Sequence, residues 1–192
     1  MTINPNNKLN DNPNGIIELL QSLKQLGRKV QIEKGKTILT EGDEVDFVFF
    51  VEKGCFRCYR WINDEEVTIG FSFEGDIDTC PYAFINKTES TDIIEALTNC
   101  NVIKIYRGEI DELKKYQPEL DGFIQGLLSH YIEVLIQRNI DLRTKNADQL
   151  YRKLYKRQPK EVAQIPLMYI ASYLGISKER LSRIRKNFIP ID

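Results

Sequence analysis

Residues 170–186, "IASYLGISKERLSRIRK", decide how the C-terminal part of this chain folds. Apolar side chains recur at helical spacing on both sides of Gly175, and Ser177 follows two residues later. Glycine adopts the left-handed backbone of a tight turn at little cost, and a serine hydroxyl caps a helix by accepting a hydrogen bond from its first turn. The stretch therefore predicts two short helices joined by a turn, with the small Ala171 where they cross, which is the helix-turn-helix pattern. The apolar side chains assigned to its core are Ile170, Leu174, Ile176, Leu181 and Ile184.

The second helix of this pattern is polar and basic on its outer face. In a helix-turn-helix, the N-terminal residues of such a helix reach base edges in the major groove, and flanking basic residues contact phosphates. A solvated cationic helix that binds nothing is the alternative. The residues predicted to contact DNA are Ser177, Lys178, Glu179, Arg180, Ser182, Arg183 and Lys186.

Charge is divided unevenly along the chain, although the formal net charge is only −1. Residues 143–188 hold twelve Lys or Arg against three Asp or Glu, a balance of +9, and the remaining residues hold 15 basic and 25 acidic side chains. A basic segment of this kind favours a polyanion as its partner.

The region before it has the pattern of a small β-domain. Residues 16–26 carry apolar positions at helical spacing and predict a short helix that ends at Gly27. From 28 to 106, short β-rich runs alternate with turn signals such as EKGK, EGDE, NDEE and EGD. This alternation predicts a compact antiparallel barrel or sandwich.

A helical pattern returns after Arg107, with a short helix before Pro118 and then the long run at residues 119–145. The apolar surface of this run is too wide for one narrow seam, so we expect a homodimer in which a partner helix covers part of it. A helix buried wholly within one chain is the alternative. The predicted dimerisation residues are Phe123, Ile124, Leu127, Leu128, Tyr131 and Leu135. Three helices are expected beyond it, at about 144–157, from Pro166, and after Ser177.

Other features of the 192-residue chain limit the kinds of protein to which it can belong. The N-terminus is polar and Asn-rich and no run of about 18 apolar residues occurs, so we expect a cytoplasmic protein without signal peptide or membrane contact. The four cysteines are interpreted as reduced structural thiols. Cys55 and Cys58 form a CxxC on a predicted strand, where residues three apart point to opposite faces. No catalytic constellation or metal site is indicated, and the protein is not expected to be an enzyme.

The order of elements resembles that of the Crp/Fnr superfamily of transcription regulators, in the version common in Bacteroidetes. The motifs that carry the resemblance are "KGKTILTEGDEVDFVFFVEKGCFRCYRW", "FEGDI" and "AQIPLMYIASYLGISKERLSRIRKNF". The resemblance implies an α+β fold: a double-stranded β-helix (jelly-roll, cyclic-nucleotide-binding-like) domain at 1–117, a dimerisation helix at 118–143, and a helix-turn-helix domain at 144–192. Because only six residues follow Lys186, we expect the wing to be absent or vestigial.

The expected ligand cassette departs from the family pattern. Members that bind cyclic nucleotide place Gly-Glu on the ribose and Arg-Ser on the cyclic phosphate, and an ungapped count puts Thr79, Cys80, Ser90 and Thr91 at those positions. Without an arginine the phosphate would be buried unpaired, so cAMP is not expected to bind in the usual mode. The basic residues Arg57, Arg60 and Lys87 could substitute only by an unusual geometry. The candidate effector pocket is Thr79, Cys80, Tyr82, Ser90 and Thr91.

No cofactor is expected. Members with an iron–sulfur cluster carry three cysteines near the N-terminus, where this chain has none, and His130, which haem would need, lies in the apolar helix. The resemblance thus implies a dimeric, sequence-specific regulator that binds double-stranded DNA, with RNA polymerase as a further candidate partner and an unidentified effector. The alternative is a ligand-independent module whose β-domain senses nothing. A cavity near Cys80 and Ser90 would favour sensing, and plugging by Tyr82 or Phe84 would favour the module.

Overall fold

The computed structural model describes residues 13–188, with side chains from residue 18 onward. Its helices and strands follow one another in the order given next. They are α1 (Pro13–Leu26), β1 (Arg28–Ile32), β2 (Thr37–Leu39), β3 (Phe47–Lys53), β4 (Cys55–Ile62), β5 (Glu65–Phe73), β6 (Ile77–Asp78), α2 (Pro81–Asn86), β7 (Ile93–Ala96), β8 (Cys100–Tyr106), α3 (Arg107–Tyr116), α4 (Glu119–Thr144), α5 (Ala147–Arg157), α6 (Pro159–Gln164), α7 (Leu167–Leu174) and α8 (Lys178–Lys186).

The strands form two antiparallel four-stranded sheets, which confirms the predicted β-domain. The first sheet has the order β1-β8-β3-β6 and the second has the order β2-β7-β4-β5. Alternate side chains of β3 point to opposite faces: Phe49 and Val51 enter the core between the sheets, and Val48 and Phe50 face outward. Other parts of the chain must therefore pack on both faces of this sheet.

Gly54, between β3 and β4, shows why the turn requires glycine. Its φ is +103°, and an added Cβ would lie 2.5 Å from the Sγ of Cys100. Backbone conformation and space both exclude a larger residue there.

Helices α1, α3 and α4 cover the outer face of the first sheet. Their apolar side chains, among them Leu23, Ile110 and Leu120, pack on Phe50 and Ile103. The helix predicted at 16–26 is α1, which begins three residues earlier, and the long predicted run is the 26-residue α4. Among residues 13–188, no helix combines the length and the apolarity needed to span a bilayer.

Residues 147–186 contain four helices where three were predicted. The prediction missed α6 because Pro159 was interpreted only as a stop for the preceding helix. Proline lacks an N–H that a first helical turn would leave unbonded, so it also starts the next helix. The short helix α2 was not predicted either. The expected absence of a wing concerns residues after 188, which lie outside the described part of the chain.

A buried carboxylate joins α4 to α5. Asp141 is 2% exposed and accepts hydrogen bonds from the ammonium groups of Lys145 and Lys153 and, at 3.0 Å, from Gln137 Nε2. Burial acts to raise the pKa of Asp141, but these hydrogen bonds outweigh it and hold the pKa well below its ordinary value. The junction between the long helix and the C-terminal helices is therefore fixed by charge as well as by packing.

Replacing Asp141 by asparagine should lower the free energy of unfolding by about 1–2 kcal/mol at pH 7, because two charge-assisted hydrogen bonds to partly exposed lysines are lost. The matched control is Asp148→Asn, which breaks the more exposed Asp148–Arg152 pair and should change stability by less than about 0.5 kcal/mol. Urea unfolding measures both.

The pH dependence of this difference tests its origin. Because the pKa of Asp141 is lower in the folded protein than the ordinary 3.8, its contribution is fully present above that value and is lost as the pH falls through the folded pKa. The gap between wild type and Asp141→Asn should be constant from about pH 7 to pH 5 and shrink below about pH 4. A gap unchanged at about pH 3 would assign the loss to packing.

Candidate functional site

Helices α7 and α8 are joined by the turn that the sequence pattern indicates. Gly175 has a φ of +67°, and the N–H of Ile176 donates to the carbonyl of Ala171 at 3.0 Å. Ser177 precedes α8 with its Oγ accepting the Arg180 N–H at 3.2 Å. These hydrogen bonds satisfy backbone groups that the end of α7 and the start of α8 would otherwise leave without partners.

One apolar side of α8 holds it against the rest of the C-terminal helices. Leu181 is fully buried and Ile184 is partly buried in the same cluster as Ile170 and Leu174 of α7. Arg185 also belongs to this side, because its Nη2 donates to the carbonyls of Val162 and Ile165 at 3.1 and 3.2 Å. Arg185 is therefore a structural arginine.

The opposite side of α8 holds the residues predicted to contact DNA. These residues are Ser177, Lys178, Glu179, Arg180, Ser182, Arg183 and Lys186. All of them are exposed except Ser182, which is half-buried. The pKa of Glu179 is lowered by hydrogen bonds from the Glu179 backbone N–H and from Ser177. This face offers cations, one carboxylate and hydroxyl groups, which can meet phosphates and base edges.

A buried guanidinium anchors α7 to the β-domain. Arg57 of β4 is 1% exposed, and its Nη1 lies 2.6 Å from Glu66 Oε2 while its Nε donates to Thr68 Oγ1 at 2.9 Å. Its guanidinium lies 3.8 Å from the ring centre of Tyr169 in α7. A charge removed from water needs such partners, and they come from both parts of the molecule.

Further polar contacts reinforce this docking. The Oγ of Ser172 in α7 accepts the Thr68 N–H at 2.9 Å and donates to the Glu66 carbonyl at 3.2 Å. Arg157 at the end of α5 lies 2.7 Å from the buried carboxylate of Asp76. The outward side chains of the second sheet share one apolar cluster with the helices, and they are Cys55, Phe71 and Phe73.

Sequence reasoning missed this interface, although β4 carried a signal of it. The segment "CFRCY" is apolar on both faces apart from Arg57, and an antiparallel strand with one solvated face alternates polar and apolar residues. A strand without that alternation indicates that another layer covers it.

The predicted effector residues do not converge on one cavity. Thr79 donates its hydroxyl to the Phe47 carbonyl at 2.8 Å, and Ser90 donates to the Asp92 carbonyl at 2.8 Å. Cys80 is buried in the core between the sheets. Tyr82 is 73% exposed and therefore plugs nothing, and Thr91 is exposed as well.

The three basic residues considered as phosphate partners are placed elsewhere or already paired. Arg57 faces the helices outside the β-domain, as described above. Arg60 forms an ion pair with the buried carboxylate of Asp92. Lys87 is exposed at the end of α2, with a left-handed φ of 55°.

The predicted dimerisation residues divide into two groups along α4. Phe123, Ile124 and Leu127 pack on the chain's own β-domain, together with Leu120. Leu128 and Tyr131 are half-buried, and Leu135 is exposed. The exposed large apolar side chains of the helix lie in its second half and are Ile132, Leu135, Ile136, Ile140 and Leu142.

The cysteines are buried, and Cys55 and Cys58 face different clusters as predicted. Cys58 lies in the core between the sheets and Cys55 in the cluster shared with the C-terminal helices. Burial raises the pKa of both thiols. Among the described residues, no group of three or more His, Cys, Asp or Glu side chains is arranged to hold a metal ion.

Comparison with known sequences finds one matching family model and several similar proteins. Residues 29–116 match the family model described as the cyclic nucleotide-binding domain. The chain is 28% identical over 174 residues to the fumarate and nitrate reduction regulatory protein of Salmonella typhi, covering 84% of this chain and 68% of that protein. The protein of that name from Escherichia coli (strain K12) is 27% identical with the same coverage.

Solved structures share the fold. FixK2 from Bradyrhizobium japonicum superposes with a TM-score of 0.72 at 16% identity, covering 84% of this chain and 83% of that one. The Thermus thermophilus catabolite activator protein gives a TM-score of 0.57 at 17% identity, with coverage of 88% and 82%. At these identities the likeness concerns the fold alone.

The anchoring role of Arg57 can be tested with Arg57→Met, which keeps the stem and removes the charge. We expect a loss of about 2–3 kcal/mol in the free energy of unfolding, because Glu66 loses its partner and Tyr169 its cation, although Glu66 itself is partly exposed. Arg28→Met is the control, since Arg28 is 72% exposed and lies 3.7 Å from Glu109; it should change stability by less than about 0.5 kcal/mol. Equal small losses in urea unfolding would contradict the role of Arg57 as an anchor.

Proposed function

We propose that this chain, whose residues 29–116 match the cyclic nucleotide-binding domain and which is similar to fumarate and nitrate reduction regulatory proteins, is a Crp/Fnr-type regulator that binds double-stranded DNA as a homodimer and regulates transcription. The observation that carries the proposal is the exposed basic face of α8, a helix held in place by the buried Leu181 and by hydrogen bonds from Arg185. We place the protein in the cytoplasm and regard RNA polymerase as its candidate protein partner.

The charge distribution supports DNA as the ligand of α8. Lys178, Arg183 and Lys186 are exposed, and none of them has an ion pair among the residues that the structure describes. Unpaired cations along an exposed helix face can neutralise phosphates and release counterions. Glu179 and Ser182 then supply groups that can discriminate between bases.

The second half of α4 supports the homodimer. Ile132, Leu135, Ile136, Ile140 and Leu142 are between 39% and 56% exposed, at spacings close to those of one helical face. Such a stripe on an otherwise polar surface favours a helix of the same kind as its cover. We therefore assign dimerisation to this half of the helix, with Leu128 and Tyr131 at its edge.

The β-domain is proposed to act without cAMP. The cassette residues Ser90 and Thr91 supply no cation, and the nearby Arg60 is neutralised by Asp92. The hydrogen-bonded Ser90 favours the second candidate, a DNA-binding module in which the cassette itself senses nothing. The two candidates predict the same behaviour of α8 and differ in the β-domain.

DNA reading by α8 is tested by selecting sites from a random duplex library and measuring affinity for the enriched site. Lys178→Ala with Arg183→Ala should weaken that affinity at least about tenfold and reduce its salt dependence, since two phosphate or base contacts are lost. Lys29→Ala with Lys36→Ala removes the same charge from exposed positions of the β-domain and should leave affinity unchanged. Equal losses in both variants, or no enriched site, would refute sequence-specific reading by α8.

Dimerisation through α4 is tested by Ile136→Glu with Ile140→Glu. We expect sedimentation equilibrium to show a 22.4 kDa monomer where wild type is a dimer, because two carboxylates would be buried in an apolar interface. Glu133→Gln, an exposed change on the same helix, is the control and should remain dimeric. A dimer that persists in the double variant would place the interface elsewhere.

A further inference from the structure

A cavity of about 130 Å³ lies between the first sheet and the helices packed on its outer face. Helix α1 contributes Leu20, β3 contributes Phe50, α3 contributes Ile110, and α4 contributes Leu127 to its lining. Phe84 of α2 closes another side. Strands β6 and β8 add Ile77 and Ile105, so seven separate elements of the fold meet around this space.

The cavity shares only Thr79 with the cassette discussed above. Helices form most of its wall, and the first sheet adds side chains such as Val48 and Phe50, which belong to the cluster with α1, α3 and α4. Cys80 belongs to the core between the two sheets. Neither Cys80 nor Ser90 is among the lining residues.

The size and lining of the cavity suit one aromatic ring. A cavity of about 150 Å³ lined by Leu, Ile and Phe stays dry and binds benzene, because water finds no polar partners there. Of the polar residues that line this cavity, Thr79 already donates its hydroxyl to the Phe47 carbonyl. The Lys24 ammonium lies 3.5 Å from the ring centre of Phe50 and makes a cation–π contact with it. An apolar occupant would regain the dispersion contacts that the empty space lacks.

The carboxylate of Asp78 at one end of the cavity disfavours anionic ligands. Asp78 lines that end and is 4% exposed, accepting hydrogen bonds from the Ser72 hydroxyl and, at 2.9 Å, from the Thr79 N–H. Burial raises the pKa of Asp78 to about 6, so the carboxylate is largely ionised at neutral pH. No basic side chain pairs with it in the described part of the chain. A ligand with a carboxylate or phosphate would meet this charge in a medium of low dielectric constant.

We propose that this cavity is a binding site for an uncharged, apolar molecule about the size of one aromatic ring. Only its role as an effector site rests on the proposed function, because the binding itself requires no DNA. Since Leu127 and Tyr131 of α4 line the cavity, a bound ring would strengthen the packing of the long helix on the β-domain.

The test uses toluene as the probe and the full-length protein without DNA. Toluene near its solubility limit should raise the melting temperature, and ligand-detected NMR should give a saturable titration. Benzoate, a ring of similar size with a carboxylate, should give neither at the same concentration. Leu127→Trp fills the space and should weaken toluene binding by about tenfold or more, whereas Gln125→Trp, exposed on the same helix, should leave it unchanged.

Leu128→Phe, a smaller change at a half-buried lining position, replaces Leu127→Trp if that variant does not fold. No saturable toluene binding by wild type would overturn the proposal. Equal binding by wild type and the filled variant would overturn it as well, because the ring would then bind elsewhere. Benzoate binding as tight as that of toluene would overturn the selection against anions. Since DNA is absent throughout, a failure of the proposed DNA binding would leave these results unaffected.

Discussion

The guanidinium of Arg57 is the charge on which the relation between the two parts of the molecule depends. Buried on the outer face of the second sheet, it needs partners in place of water, and the β-domain supplies the polar ones: Glu66, Thr68 and, at 4.0 Å, Glu95. Its plane also lies 4.2 Å from the ring centre of Tyr59 in β4 and 3.8 Å from that of Tyr169 in α7. Moving α7 away would leave one face of this buried charge without a contact, so the contact holds α7 against the sheet. Helix α8 packs on α7 and takes its orientation from it. The direction in which the basic face of α8 points is thus set by a residue of the β-domain.

The long helix provides a second connection between the same two parts. Its N-terminal half packs on the first sheet, and its C-terminal end holds α5 through Asp141 and Lys153. Arg138, between these regions, donates to the Tyr173 carbonyl of α7. A change in how α4 packs on the β-domain would therefore reach the C-terminal helices through hydrogen-bonded contacts. This gives a partner helix or a bound ligand a physical route to α8, since either would alter the packing of α4.

Features that depend on neighbours in sequence could be predicted, and those that depend on distant contacts could not. Gly175 and Ser177 act within a few residues of themselves, so their types and spacing indicate the turn and the cap of α8. Arg57 meets Tyr169 across more than a hundred residues of sequence, and no local pattern pairs them. Periodicity predicted α4 but could not say which part of it faces its own β-domain, because that depends on how Phe123 and Ile132 lie relative to the sheet. The cavity is also a product of packing and has no sequence signature.

The electrostatics of the β-domain explain why a fold associated with cyclic nucleotides would here prefer a neutral ligand. Where a phosphate would need a free guanidinium, Arg60 already pairs with Asp92, and a second anion would have to compete with that buried carboxylate. On the other side of the first sheet, Asp78 adds a further negative charge beside an apolar space. The buried carboxylates of Asp92 and Asp78 disfavour the binding of an anion, and Arg60 is already in an ion pair. The remaining source of binding energy is apolar contact, which the space enclosed by α1, α3 and α4 offers.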